Sequence, residues 1–183
     1  SVDSEIKILN ATISLDGDNH NVLPTWLGAH DFPKDKTAKE YMDELIHEQL
    51  PLVAENNLAK WIDVFCEPGW FNLEQTELLV KNAKSYGLKS RLHVDEFVDS
   101  GGLSLAAELK SSSADHVGFS NSDYRDKANK SGTMQVFLPG TPYVLGKPLG
   151  EGIQDCIENN WIFSLATDFN PNCQTLSLPF VGS

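Results

Sequence analysis

The chain has 183 residues, a hydrophobic content of 40% and a charged content of 22%, values that are ordinary for a soluble globular protein with one core. Its formal net charge of −12 argues against non-specific binding to nucleic acid or to anionic lipid. No apolar run approaches the roughly 20 residues of a membrane span. The three cysteines have no CxxC spacing, which favours a cytoplasmic location over a disulfide framework. We therefore expect neither a nucleic-acid nor a membrane partner.

Helical and strand patterns alternate along the chain. Helices are predicted from apolar residues at helical spacing and from two capping pairs, Thr37 with Glu40 and Asn72 with Gln75. Pro51 is expected to kink the second helix or to end its regular part. The predicted helices cover 6–13, 37–56, 72–87, 102–110, 122–131 and 149–160. The predicted strands cover 21–27, 61–65, 89–93, 116–119, 134–138 and 161–166.

Strands that alternate with helices predict an α/β fold with a parallel sheet and right-handed crossovers. An open doubly wound sheet and a (β/α)8 barrel both fit this order of elements. No Gly-x-Gly-x-x-Gly follows the first strand, so the dinucleotide-binding fingerprint is absent. Polar residues end nearly every strand, as in barrels whose site is built from many strand ends. We favour a TIM-type barrel, although six strands cannot close an eight-stranded one.

Three strand ends carry the residue types that hold a divalent metal. They are His93, His116 and Asp168, and imidazole and carboxylate groups suit zinc or iron. Glu96 follows His93 by three residues and could act beside such a metal as a general acid or base. A hydrogen-bonded histidine near a helix start and a turn aspartate are the structural alternatives. The spacing alone leaves both interpretations open.

Five linked motifs resemble the imidazolonepropionase family of the amidohydrolase superfamily. They are Pro24-Thr25-Trp26-Leu27-Gly28-Ala29-His30, Asp63-Val64-Phe65-Cys66-Glu67, His93-Val94-Asp95-Glu96-Phe97, Ser113-Ala114-Asp115-His116 and Ala166-Thr167-Asp168-Phe169-Asn170-Pro171. The resemblance implies a single partial (β/α)8 barrel domain over 1–183. It also implies metal-dependent hydrolysis of the ring amide of 4-imidazolone-5-propanoate to N-formimidoyl-L-glutamate, a step of histidine breakdown.

The resemblance also implies catalytic roles. His93 matches the metal-binding histidine of the fifth barrel strand, and Asp168 matches the metal-binding aspartate of the eighth. One metal ion, zinc or iron, is therefore expected. Asp168 could also take a proton from the attacking water. Glu96 matches a glutamate that contacts the substrate ring and helps to activate water, and His116 matches a histidine beside the scissile carbonyl.

Other matched positions imply contacts with the substrate. His30 matches a substrate-binding histidine of the third strand, and Asn170 matches an asparagine that binds the ligand. Asn172 and Cys173 stand where the family has a small Gly-Ser pair, so we retain them as weaker substrate-binding candidates.

One departure from the family limits the prediction. The His-x-His pair of the first barrel strand has no counterpart, so we expect the chain to hold strands three to eight. We predict weak metal binding and negligible activity for these 183 residues alone. The alternatives are another amidohydrolase, such as a heterocycle deaminase, and a non-catalytic fragment that needs a partner. A homodimer is a further expectation from the resemblance.

Overall fold

A computed structural model describes residues 2–17, 21–148, 150, 152–171 and 173–174. The helices of this part are α1 (Val2–Ile13), α2 (Ala38–Glu44), a π-helix (Leu45–Gln49), α3 (Leu50–Glu55), α4 (Leu73–Ser85), α5 (Gly102–Glu108), α6 (Ser122–Ser131), α7 (Gly140–Leu145) and α8 (Gly152–Glu158). The strands are β1 (Thr25–Ala29), β2 (Trp61–Cys66), β3 (Lys89–Val94), β4 (Ser113–His116), β5 (Met134–Phe137) and β6 (Phe163–Leu165). None of these helices has both the length and the apolar character needed to span a bilayer.

The strands form one six-stranded parallel sheet, and their order in it is their order in the chain. β1 pairs with β2, β4 with β5, and β5 with β6, in each case in parallel. The regular order arises because each of the first five strands is followed by a helix that returns the chain to the same end of the sheet. The predicted α/β fold, with six consecutive strands of a TIM-type barrel, is confirmed.

The chain divides into two compact units, Ser1–Arg91 and Leu92–Ser183. Fully buried side chains of the first unit include Trp26, Leu45, Ile62, Phe71 and Leu79. Those of the second include Leu92, Val94, Leu103, Ala114 and Ala128. In both units the strands are covered by helices, which explains their nearly continuous apolar sequences. The single domain expected from the sequence stays a prediction.

The regular α-helical geometry is interrupted just before Pro51, in line with one of the two predicted effects, although a helix continues past it. The helix does not end there, because the π-helix Leu45–Gln49 leads directly into α3, where Pro51 occupies the first turn. Proline lacks the N–H that would bond four residues back, and a wider turn just before it accommodates the missing bond. The N-terminal end of α2 is as predicted, since Thr37 and Glu40 form a capping box.

Several predicted boundaries are wrong. The first strand is Thr25–Ala29 rather than 21–27, because only the second half of that run joins β2. The fourth is Ser113–His116 rather than 116–119, because the backbone has positive φ at His116 and Val117 and leaves the extended conformation there. Helix α7 was not predicted, since Pro139 and Gly140 indicated only a strand end. The first predicted residue of the last helix, Leu149, lies outside the described residues.

Candidate functional site

Strand ends of the second unit present the imidazoles and the carboxylate predicted from the sequence. Along β3, Leu92 and Val94 are buried while His93 between them is partly exposed on the opposite face. β4 ends on His116, which is 7% exposed. Asp168 follows the end of β6 by three residues. The carboxyl ends of these strands therefore supply all three groups.

The side chains of this region are close to one another. The ring centroids of His93 and His116 are 5.2 Å apart, with the ring planes at 51°. The Nε2 atom of His116 is 3.6 Å from Oε2 of Glu96. Glu96 also interacts electrostatically with His93 and with Asp168. The structure thus brings His93, His116 and Glu96 together, and Asp168 influences the ionisation of Glu96.

Glu96 has an unusual ionisation equilibrium. Burial of its carboxyl group raises its pKa from 4.5 to about 7, with His93 opposing the shift and Asp168 adding to it. The Glu96 side chain is 11% exposed, so a ligand or water can still reach it. A carboxyl group with a pKa near neutrality can both accept and donate a proton at physiological pH.

The backbone is constrained at the same strand ends. Non-glycine residues with positive φ include Asp95 at 51°, His116 at 73°, Val117 at 47° and Asp168 at 54°. This conformation is unfavourable for L-residues, and most of all for a β-branched one such as Val117. Such strain is concentrated at functional sites, where tertiary contacts hold it in place.

Asp168 has a contact that the sequence did not suggest. Its Oδ2 accepts a hydrogen bond from the hydroxyl of Thr141, which lies on α7. Because α7 was not predicted, Thr141 could not be placed near Asp168 from the sequence. The hydrogen bond fixes one carboxylate oxygen and thereby orients the Asp168 side chain.

The predicted substrate-binding residues after Asp168 form a small turn. Asn170 and Cys173 bond to each other through both backbone N–H groups, at 2.9 and 3.1 Å. The amide Nδ2 of Asn170 donates to the backbone carbonyl of Asp168 at 2.8 Å, and Cys173 is 2% exposed. Asn172 lies outside the described residues. Contacts of Asn170, Asn172 and Cys173 with a substrate stay predictions.

His30 lies in the first unit, directly after β1. Its Nε2 atom is 3.4 Å from Oδ1 of Asp63, and its ring stacks on Phe65 with centroids 6.0 Å apart. Asp63 is 5% exposed and lies inside the otherwise apolar strand β2. A buried carboxylate in an apolar strand is rare without a partner. The position of Asp63 in such a strand is therefore the sequence signal that could have identified it as a site residue. The role of His30 in substrate binding stays a prediction.

A cavity that opens to solvent adjoins Glu96 and His116. Thr141 also lines it, and Lys147 contributes a primary amine. The rest of the lining is largely apolar and includes Phe119, Phe137, Leu138, Pro142 and Ile153. The polar groups thus lie at the edge of a largely apolar cavity.

We expect the metal-free chain to lose stability as the pH rises. The contribution of Glu96 is fully present below its ordinary pKa of 4.5 and is lost as the pH rises through about 7, because the buried ionised form is unfavourable. Glu96→Gln should therefore become more stable relative to the parent between about pH 5 and pH 8. Urea unfolding across that range measures the difference. Parallel stability curves for the two proteins would contradict the assignment.

No protein-family model matches the chain. Curated relatives named imidazolonepropionase do match it. The protein from Thermoanaerobacter pseudethanolicus is 38% identical over 93% of this chain and 42% of its own length. That from Bacteroides thetaiotaomicron is 40% identical over 97% of this chain and 44% of its own length. The protein from Solibacter usitatus is 37% identical over 99% of this chain and 44% of its own length.

Solved structures with a similar fold are more distant in sequence. Guanine deaminase from C. acetobutylicum with bound guanine has a TM-score of 0.68 at 16% identity, over 99% of this chain and 47% of that one. Arabidopsis N6-mAMP deaminase has a TM-score of 0.67 at 15% identity, over 93% of this chain and 51% of that one. At these identities the likeness supports the fold alone.

The resemblance seen in the five strand-end motifs is thus confirmed along nearly the whole sequence. The chain spans less than half the length of the curated relatives that it matches. By sequence, this protein is a relative of the imidazolonepropionases that corresponds to a little over two fifths of their length.

Proposed function

We propose that this chain supplies metal-binding and acid–base residues of an imidazolonepropionase, a hydrolase acting on the cyclic amide of 4-imidazolone-5-propanoate. The product is N-formimidoyl-L-glutamate, a step of histidine breakdown. The observation that supports the proposal most strongly is Glu96, a carboxyl with a pKa of about 7 that lies 3.6 Å from the His116 imidazole beside a solvent-open cavity. The reaction itself is proposed from the sequence similarity to proteins named imidazolonepropionase.

The donor set fits the expected metal ion. His93 and Asp168 both influence the ionisation of Glu96, which supports a common site for the imidazole and the carboxylate. These are the donor types that zinc and iron accept. We propose that His93 and Asp168 hold the metal. When bound, the metal supplies Lewis-acid chemistry that activates water and polarises an amide carbonyl.

The residues of the chain have separate tasks in this proposal. Glu96 takes a proton from the attacking water and returns it to the ring nitrogen as the carbon–nitrogen bond breaks. His116 donates a hydrogen bond to the carbonyl oxygen, where negative charge develops. Asp168, oriented by Thr141, accepts the second proton of the water. His30 and Asn170 are proposed to contact the substrate.

Lys147 is proposed to bind the propanoate group of the substrate. It shares the cavity with Glu96 and His116 and supplies a cation there. We expect Lys147→Ala to raise KM roughly tenfold with little change in kcat, because a charge-assisted hydrogen bond contributes about 1.5–3 kcal/mol. Lys130→Ala, which removes an exposed lysine paired with Asp126, is the matched control. An unchanged KM in Lys147→Ala would exclude the contact.

The function is tested by complementation. The chain is assayed alone and co-purified with the part of the Thermoanaerobacter relative that it does not match. We expect negligible turnover of imidazolonepropionate by the chain alone. The complex should open the ring, and mass spectrometry identifies the product. Turnover of guanine in place of imidazolonepropionate would instead support a deaminase. A stable, metal-loaded complex without either activity would support a non-catalytic role.

Partner and location are also proposals. The family resemblance favours a homodimer, which sedimentation analysis measures. The sparse cysteines Cys66, Cys156 and Cys173 are buried and form no disulfide within the described part of the chain, which supports a cytoplasmic location.

A further inference from the structure

Asp95, to which the sequence assigns no role, is a carboxylate with many hydrogen bonds near the proposed site. Its side chain is fully buried. Oδ1 accepts hydrogen bonds from the backbone N–H of Ser100 at 3.0 Å, the hydroxyl of Ser100 at 2.9 Å and the N–H of Gly102 at 3.1 Å. Oδ2 accepts from the N–H of Leu103 at 3.1 Å and the hydroxyl of Ser120 at 2.6 Å. One side chain thus organises the start of α5 and the segment after β4.

The backbone around Asp95 makes the same connection. The N–H of Val117 donates to the carbonyl of Val94, and the N–H of Phe119 donates to the carbonyl of Asp95, both at 3.0 Å. These two bonds continue beyond His116, the last residue of β4. Glu96 follows Asp95 directly, and His116 precedes Val117. The bonds therefore join the two segments that carry the Glu96 and His116 side chains.

The packing leaves little room for these segments to shift. A Cβ atom at Gly102 would lie 2.6 Å from Cβ of Val94 and 3.2 Å from Oδ1 of Asp95. α5 therefore starts in direct contact with the end of β3. Asp95 also has positive φ, 51°, a conformation that is unfavourable without compensating contacts. Its five hydrogen bonds supply that compensation.

We propose that Asp95 is a positioning residue that sets the separation between the Glu96 carboxyl and the His116 imidazole. The inference rests on the proposed function, in which both groups act on the same substrate. Asp95 itself does not touch the substrate. It holds the Glu96 segment through Ser100, Gly102 and Leu103, and it holds the His116 segment through Ser120.

The chemistry requires a carboxylate at this position. An ionised carboxyl accepts at both oxygens, and here both receive only N–H or O–H donors. Asp95→Asn would replace one acceptor oxygen by an NH2 donor. That NH2 group would face N–H or O–H donors and could not accept their hydrogen bonds. This substitution keeps the size of the side chain and removes one of the two acceptors. Ser120→Ala removes only the link to the His116 segment.

The separation can be measured directly by NMR. We expect the nuclear Overhauser effect between the His116 ring and the Glu96 side-chain protons to weaken in Asp95→Asn and Ser120→Ala. It should be unchanged in Ser122→Ala, which removes a serine–aspartate hydrogen bond to Asp155 instead. Equal intensities in all three variants would overturn the proposal. If Asp95→Asn does not fold, the intensity of the same nuclear Overhauser effect in Ser120→Ala tests the proposal.

Activity provides a second measurement, in the complemented complex. We expect kcat to fall roughly 10- to 100-fold in Asp95→Asn with KM nearly unchanged, because small displacements of reacting groups have effects of that size. A purely structural role would lower the active fraction instead, and active-site titration separates the two. An unchanged kcat per active site would overturn the positioning role. If the parent is inactive, the proposed function fails, and the NMR comparison still tests Asp95.

Discussion

Replacing Glu96 by glutamine is expected to lower kcat of the complemented enzyme by about 10²- to 10⁴-fold, the usual contribution of a general acid–base group. Glutamine has nearly the same size but cannot accept and return a proton. The Glu96 pKa of about 7 provides the reason, since this carboxyl can exist in both protonation states at physiological pH. KM should change little, because glutamine can still form a hydrogen bond to the substrate ring. Steady-state kinetics with imidazolonepropionate measures both quantities.

Glu74→Gln is the control for this experiment, because Glu74 is an exposed glutamate in the first turn of α4. It should leave kcat within experimental error of the parent. Metal content and unfolding midpoint are measured for both variants, so that loss of metal or of structure is recognised. A folded, metal-loaded Glu96→Gln protein with nearly parental kcat would remove Glu96 from the mechanism.

Replacing Arg125 by alanine is expected to lower the free energy of unfolding by about 3 kcal/mol or more. Arg125 is 1% exposed. Its guanidinium donates to Oε1 of Gln135 at 3.2 Å and to the backbone carbonyl of Val117, and it lies 5.3 Å from the Phe137 ring. Truncation would leave buried acceptors without their donor and create a cavity.

The charge of Arg125 is part of the argument. Burial lowers the pKa of the guanidinium, and Cys156, Asp155 and Asp95 oppose that shift. α8 packs directly against the guanidinium, since a Cβ atom at Gly152 would clash with its Nη2. Removal of Arg125 would therefore leave acidic groups without a compensating cation and loosen the contact with α8.

Urea denaturation measures this effect. Lys130→Ala, at an exposed lysine of the same helix, should change the unfolding free energy by no more than about 0.5 kcal/mol. If Arg125→Ala is destabilised by less than about 1 kcal/mol, the hydrogen bonds and packing of the guanidinium contribute little.

Part of the site could be read from single residues and local patterns. The alternation of β3 places His93 on the face opposite Leu92 and Val94, and this needs only the period of a strand. The Thr37 and Asn72 capping boxes likewise depend on residues three positions apart. The two capping predictions were confirmed because these interactions are local.

Other features depend on contacts between distant segments. The sequence shows Val117 and Phe119 as an apolar run, yet the chain leaves the strand at His116. Tertiary hydrogen bonds to β3 and to Asp95 hold that unfavourable conformation, and no periodicity reveals them. Thr141 is a similar case, because its contact with Asp168 requires a helix that Pro139 and Gly140 did not predict.

The sequence by itself determined the alternating α/β order, the residue types at the strand ends and the relation to the imidazolonepropionases. The order of elements follows from periodicity, whereas the relation follows from the resemblance of five motifs to that family and from the sequence identity to its members. The tertiary structure alone decided that Glu96 has a raised pKa and that Asp95 receives five hydrogen bonds. Both depend on burial, and burial is fixed only when segments far apart in sequence pack together.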